Sequence, residues 1–399
     1  MLGGLYQKIN FMKVFIVCSA SSFTSGPGRA RALLFADKNA NLAPARNAMT
    51  TKAIPIKTLS FDELKEKLVA MGLKAYRTGQ IFAWIYHQHA VSFNEMTNIA
   101  RAERELLAAV FAITAPTVLL VERSSDGTRK FLFGLDDGHT VESVLIPDED
   151  RQTLCISSQV GCRQACRFCL TAQSGFIRNL KASEISDQVL EVSRVLRREG
   201  SRDITNIVLM GMGEPLANFM ELTRALRTIT SDKGLGISPR RVTVSTSGLV
   251  PEIGKLGALG LRVNLAVSLN ASTDEVRDRI MPVNKRYPIR ELLAACRRFP
   301  LEPRRRITFE YVLLKRVNDS PEDALRLAKL LRGIKCKVNL IPFNPFPGGE
   351  FQRPDDGMVR RFQQVLLDHH YTAPVRESRG RDISAACGQL RERATIALP

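Results

Sequence analysis

The chain has 399 residues, an ordinary globular balance of apolar and charged side chains, and a formal net charge of +18. That length provides for one large domain and a smaller companion, and no apolar run reaches membrane-spanning length, which excludes a helical membrane protein. A basic excess of this size points to a polyanionic partner, nucleic acid first; the alternative is charge spread evenly for solubility.

Residues 1–48 carry six basic side chains (Lys8, Lys13, Arg29, Arg31, Lys38, Arg46) against Asp37 alone. The rest of the chain keeps most of the positive charge. The apolar piece at 14–17 is too short for a secretory signal. A Ser- and Arg-containing, acid-poor leader suits a transit peptide, but the favoured reading is a disordered or spurious extension with Met49 as a plausible start. Export does not suit a chain that must keep several thiolates, so a cytoplasmic location is expected.

A helical unit follows, over 49–120. Ser60 and Glu63 form a capping box before one helix and Gly72 stops it. A second helix spans Arg77 to His89, with Ile81, Phe82, Trp84 and Ile85 at core spacing, and a third spans Arg101 to Phe111. Residues 128–146 predict a β-hairpin turning at Asp136-Asp137-Gly138, within a linker over 121–147. Alternation along its second strand would place Glu142 towards solvent.

From residue 148 to 382 strands and helices alternate. Strands are expected near 153–158, 205–211, 241–246, 262–269, 306–314 and 336–342. Helices are expected near 183–199, 219–230, 251–258, 274–280, 288–298 and 321–333. Such alternation means a parallel sheet with crossover helices, and six units fit a partial (β/α)6 barrel. Barrels of this kind carry chemistry on the loops at the C-terminal strand ends.

Such a loop, after the first of these strands, holds GCRQACRFC at 161–169. Cys162, Cys166 and Cys169 stand in a C-x3-C-x2-C array. Structural zinc and ordinary ferredoxin clusters take four ligands. Three thiolates would hold a 4Fe–4S cube with one iron open to a small molecule. The competing reading is a zinc site completed by another cysteine. The eight cysteines in all are no disulfide scaffold in a chain this long.

The three-cysteine array with Phe168 before its last thiol resembles the radical S-adenosylmethionine (SAM) enzymes. The longer string TLCISSQVGCRQACRFCLTAQSGF, with GMGEPL and the late AACGQL, resembles the RlmN-type rRNA adenine methyltransferases from about Ser60 to about Arg393. The resemblance implies a radical SAM barrel and one 4Fe–4S cluster on Cys162, Cys166 and Cys169 with SAM on the open iron. It also implies SAM contacts at Gly213, Glu214, Ser245, Ser268, Leu269, Asn270 and Asn344. It makes Cys387, on a C-terminal segment over 383–399, the methylated cysteine and Cys155 its partner, with Glu142 as the base. Read without the resemblance, each of these cysteines is a buried small hydrophobe, the reading kept for Cys296 and Cys336.

The implied activity is methylation of carbon 2 of an adenosine in 23S rRNA and of an anticodon-loop adenosine in tRNA. The helical unit would dock RNA, and a flavodoxin- or ferredoxin-type protein would supply electrons to a monomer. Methylation at carbon 8, the Cfr-type activity, uses the same cysteines. A non-catalytic RNA-binding protein with a zinc or redox cluster is the reading from another class. The basic runs Arg197-Arg198, Arg240-Arg241, Arg297-Arg298, Arg304 to Arg306 and Arg376 to Arg381 suit phosphate.

Overall fold

The computed structural model describes residues 53–392. The expectations for residues 1–48, the start at Met49 and the last residues of the C-terminal segment lie outside the described residues.

The helical unit is closed by two short parallel strands, β1 (Ile54–Pro55) and β2 (Phe111–Ala112). Between them run α1 (Phe61–Ala70), α2 (Arg77–Phe82), a π-helical turn at Ala83–His87, and α3 (Arg101–Val110). The Ser60–Glu63 capping box is formed in both directions, at 3.2 and 2.7 Å, and Gly72 leaves α1 at φ +80°. Leu64, Leu68, Ile81 and Ile85 bury one stripe of each helix in a small separate core.

The main sheet has nine strands. β3 (Thr117–Arg123), β4 (Arg129–Gly134) and β5 (Thr140–Pro147) are antiparallel neighbours, and β5 joins β6 (Gln152–Cys155). β7 (Gln159–Gly161) and β8 (Phe176–Asn179) form a separate ribbon. From β6 the sheet runs parallel through β9 (Asn206–Leu209), β10 (Val242–Thr246), β11 (Asn264–Ser268), β12 (Ile307–Leu313) and β13 (Cys336–Pro342). Helix α4 (Leu170–Gln173) is one turn after the cysteine loop. α5 (Ala182–Arg198), α6 (Phe219–Thr230), α7 (Val250–Ala258), α8 (Asp274–Ile280), α9 (Ile289–Arg298), α10 (Pro321–Leu330) and α11 (Asp356–Asp368) fill the connections and the end. Six parallel strands in sequence order make the partial (β/α)6 barrel expected from the alternation.

The structure differs from expectation in four places. β3 begins at Thr117, inside the stretch assigned to the helical unit, so the hairpin is the inner part of a three-stranded antiparallel extension of the barrel sheet. The ribbon β7–β8 frames the cysteine loop. α11 packs Val359, Phe362 and Leu366 inward, with Phe362 5.2 Å from Tyr311. Glu142 also faces inward, because both faces of β5 are covered over Thr140–Leu145.

The helical unit is pinned to the barrel through buried charge. Lys57 pairs with Asp187 at 2.7 Å. Arg194 donates to the carbonyls of His89 and Ala90, and Arg197 to that of His87. Arg197, expected among phosphate-binding arginines, makes its contact from an exposed position.

Candidate active site

The cysteine loop owes its shape to close backbone contacts. Gly161 sits at φ +72°, and a Cβ there would meet the Gly175 carbonyl at 1.9 Å. Only glycine permits that approach, which lets the Cys162 N–H donate to the same carbonyl at 2.8 Å. The Cys169 N–H donates to the Cys166 carbonyl at 3.1 Å, and α4 starts directly afterwards.

Cys162, Cys166 and Cys169 line a cavity that opens to solvent at the C-terminal ends of the parallel strands. Six residues expected to contact SAM line it too: Gly213, Glu214, Ser245, Ser268, Asn270 and Asn344. Leu269 does not. It is fully buried, its N–H donates to the Glu310 carbonyl and its own carbonyl accepts from Arg277. Gly213 holds φ +98° against Gln159, where a Cβ would come within 2.6 Å. Glu214 is buried, with Oε1 accepting from the Leu216 N–H and Oε2 from the Ser247 N–H. Burial pushes its carboxyl up, and these donors pull it back.

The thiols are shifted the same way. Burial pushes Cys162 up to about 12 and Cys166 well above the usual thiol range, and burial raises Cys169 too. Their neighbouring thiols add to the shift at Cys162 and Cys166. Three soft sulfur donors facing one cavity fit an iron–sulfur cluster. Among the described residues no three His, Cys, Asp or Glu converge closely enough for a single ion. A tetrahedral zinc with bonds of about 2.3 Å needs sulfurs about 3.8 Å apart, whereas a cube binds each thiolate through a different iron and accepts wider spacing.

Cys387 also lines this cavity and is exposed there. Its segment is held from several sides. The Leu170 N–H donates to the Gly388 carbonyl at 2.8 Å, and Thr171 Oγ1 to that of Leu390 at 2.5 Å. Lys130 Nζ donates to the Ile383 carbonyl at 2.6 Å. Cys155 lies at the end of β6, buried, and does not line the cavity; burial pushes its thiol up to about 12, and the nearby Cys387 thiol adds to this. Burial raises the Cys387 thiol too, and Arg376 opposes the rise at both cysteines. Glu142 is buried on β5, with Oε2 accepting from the Arg391 N–H at 3.1 Å and Oε1 3.4 Å from Lys130 Nζ. Glu142, expected towards solvent from alternation alone, therefore sits in a buried ion pair.

Several site residues escape sequence reasoning. Arg277 is fully buried, donates to the carbonyls of Ser247, Ser268 and Leu269 and to Asn284 Oδ1, and so ties two strand ends together. Glu310, Met210 and Arg376 line the cavity. An arginine in an amphipathic helix and a glutamate in an apolar strand carry no local signal of this. Cys296 and Cys336 are buried among core residues, as expected.

Two family models match the chain: the radical SAM superfamily over residues 156–328, and the ribosomal RNA large subunit methyltransferase N-terminal domain over residues 55–113. A curated relative from Desulfosudis oleivorans, the dual-specificity RNA methyltransferase RlmN, is 53% identical over 86% of this chain and 93% of its own length. The protein of the same name from Geobacter sulfurreducens is 55% identical over 85% of this chain and 92% of its own. The crystal structure of a radical SAM methyltransferase from Sphaerobacter thermophilus superposes with a TM-score of 0.81 at 47% identity, covering 85% of this chain and 99% of that one.

Proposed function

The chain belongs to the RlmN family of radical SAM RNA methyltransferases, and on that premise we propose that it methylates carbon 2 of an adenosine in 23S rRNA, at the peptidyl transferase centre, and of an anticodon-loop adenosine in tRNA. Methyl transfer runs through Cys387. The observation that carries this reading is that Cys387 shares one cavity with Cys162, Cys166 and Cys169 while Cys155 lies buried close by.

Members of the family use a 4Fe–4S cluster and SAM. Cys162, Cys166 and Cys169 would hold the cluster, which supplies the electron for reductive cleavage of SAM to methionine and a 5′-deoxyadenosyl radical. Glu214, Ser245, Ser268, Asn270 and Asn344 would bind SAM, with the Gly213 turn giving it room beside the backbone.

Carbon 2 of adenine is electron-poor and cannot attack the SAM methyl group, whereas a thiolate can. Cys387 takes a methyl group from one SAM by displacement, leaving S-adenosylhomocysteine. Its S-methyl group then gives up a hydrogen atom to the 5′-deoxyadenosyl radical from a second SAM, giving 5′-deoxyadenosine, and the resulting S–CH2 radical adds to carbon 2. The adduct loses the ring proton to Glu142 and one electron, balancing the one supplied at the start. Cys155 attacks the Cys387 sulfur. The C–S bond breaks, the departing carbon gains a proton to become the new methyl group, and a Cys155–Cys387 disulfide remains to be reduced. Lys130, beside Glu142, accommodates the charge change at the base.

The target base must leave its stack to reach this cavity, and basic groups not consumed in docking the helical unit would hold the RNA. Action on rRNA and tRNA places the protein in the cytoplasm, where a flavodoxin- or ferredoxin-type donor supplies electrons; we take the working form as a monomer. No helix among the described residues is long and apolar enough to cross a membrane.

Cys155→Ala tests the assignment. The variant should stall as a covalent protein–RNA adduct through Cys387, visible as a slow-migrating band under anaerobic turnover. Free release of 2-methyladenosine RNA would remove Cys155 from the mechanism, and 8-methyladenosine from the wild type would redirect the reading to carbon 8.

A further inference from the structure

Glu310 stands on β12 with its side chain in the cavity wall and is 5% exposed. Asn339 Nδ2, from the neighbouring β13, donates to its Oε1 at 2.9 Å and fixes the plane of the carboxyl group. Its Oε2 is buried, and no donor among the described residues reaches it. A buried acceptor without a donor is expensive unless a ligand supplies one. Arg376 and Cys387 both lie close enough to interact with its charge, but neither fills that position.

The donor that fits is an uncharged N–H, since a second cation beside Arg376 would be repelled. Adenine carries one such donor group, the amino group on carbon 6. It stands between N1 and N7, with one N–H turned towards the N1–carbon 2 side of the ring and the other towards the N7–carbon 8 side. We propose that Glu310 Oε2 accepts a hydrogen bond from the N1-side N–H of the target adenine's amino group and so holds the ring with carbon 2 in reach of Cys387. This rests on the adenine-methylating reading above and adds a specificity-determining residue to it. SAM also carries an adenine, and the experiment distinguishes the two sources. Burial pushes the Glu310 carboxyl up while Arg376 and Asn339 pull it back, so the group is held between two influences that a ligand donor would tip towards the carboxylate.

The test compares wild type with Glu310→Ala on two RNAs, one with adenosine at the target and one with purine riboside, which keeps carbon 2 and N1 but lacks the amino group. Wild type should lose about 10- to 100-fold in kcat/KM on purine riboside, the range for one charge-assisted hydrogen bond. Glu310→Ala should lose as much on adenosine and almost nothing further on purine riboside. Formation of 5′-deoxyadenosine from SAM, and SAM binding to the reconstituted protein, should be unchanged. Equal turnover of both RNAs by wild type would overturn the proposal. So would weakened SAM binding in Glu310→Ala, which would assign the carboxylate to the SAM adenine. If Glu310→Ala fails to fold, Glu310→Gln replaces it: Asn339 would hold the amide oxygen, the NH2 would face the adenine amino group, and the same loss is expected. Conversion of adenosine RNA to 2-methyladenosine by wild type is read in the same assay, so a failure of the underlying function is separable from a failure at Glu310.

Discussion

Lys130 joins Glu142, the proposed base, to the segment that carries Cys387, and replacing it with Met is a sharp test of that geometry. The side chain is 2% exposed. Its Nζ donates to the Ile383 carbonyl at 2.6 Å and the Ser384 carbonyl at 3.3 Å, and faces Glu122 at 3.1 Å and Glu142 at 3.4 Å. Methionine keeps the length of the stem and removes the charge. Two carboxylates then face each other across a position that held a cation. Breaking a buried pair by removing one partner costs about 3–5 kcal/mol, which corresponds to a fall of about 6–20 °C in the unfolding midpoint of a large domain. The loss should concentrate in the segment from Gly380 to Leu390, because Ile383 and Ser384 lose their donor. Denaturant unfolding of the apoprotein, protease sensitivity of that segment and mass spectrometry of Cys387 S-methylation should all report it. Lys130→Met/Glu142→Gln removes one of the stranded charges and should recover part of the stability while remaining inactive. If Lys130→Met unfolds within 1 kcal/mol of wild type and the double variant recovers nothing, the ion pair is not what holds this segment.

Gly161→Ala should empty the cysteine loop of metal. A left-handed non-glycine residue costs about 1–2 kcal/mol, and the clash with the Gly175 carbonyl would also break the bond that sets Cys162. Iron and sulfide per chain after anaerobic reconstitution should fall severalfold; unchanged loading would contradict the role given to Gly161. Asp126 offers a pH test. Burial works to raise its carboxyl, but the N–H groups of Gly380 and Thr128 outweigh it and hold it down to about 2. A folded value below the unfolded value of about 3.9 means its contribution is present above about pH 4 and disappears as pH falls to about 2. Asp126→Asn should therefore lower the thermal midpoint of the apoprotein at pH 6 and leave it unchanged near pH 2. A constant offset across that range would show that Asp126 acts otherwise.

The parallel sheet was legible because burial on both faces leaves uninterrupted apolar runs, and the six strands and their helices fall within a few residues of where the pattern puts them. The capping box at Ser60–Glu63 was legible for the opposite reason, since it is settled by two side chains three residues apart. β3 was missed because all but one of its apolar residues are only half-buried and the preceding helix extends close to it. The ribbon β7–β8 was missed because its pairing is imposed by the cysteine loop and by Gly161. At the site, the cysteine spacing and the glycine turn announce themselves. Lys130, Arg277 and Glu310 do not: they act across 7 to 254 residues of sequence, through carbonyls or strand neighbours that no local pattern marks. Alternation even misassigned Glu142, because what covers β5 comes from the far end of the chain.

The two mechanistic cysteines differ in access, and that difference orders the proposed chemistry. Cys387 opens into the cavity, where a SAM methyl group can reach it; Cys155 is sealed beneath, outside the cavity wall. A buried thiol held near 12 is a poor nucleophile towards anything that must diffuse to it. It is protected both from methylation and from premature oxidation by small molecules. A sulfur brought to it on Cys387 needs no diffusion, and proximity then replaces intrinsic reactivity. Arg376 favours the thiolate at both sites, so one guanidinium can support first the methyl acceptance at Cys387 and later the attack by Cys155. Were Cys155 as open as Cys387, the first SAM could be spent on either sulfur, and a methylated Cys155 could not release the RNA.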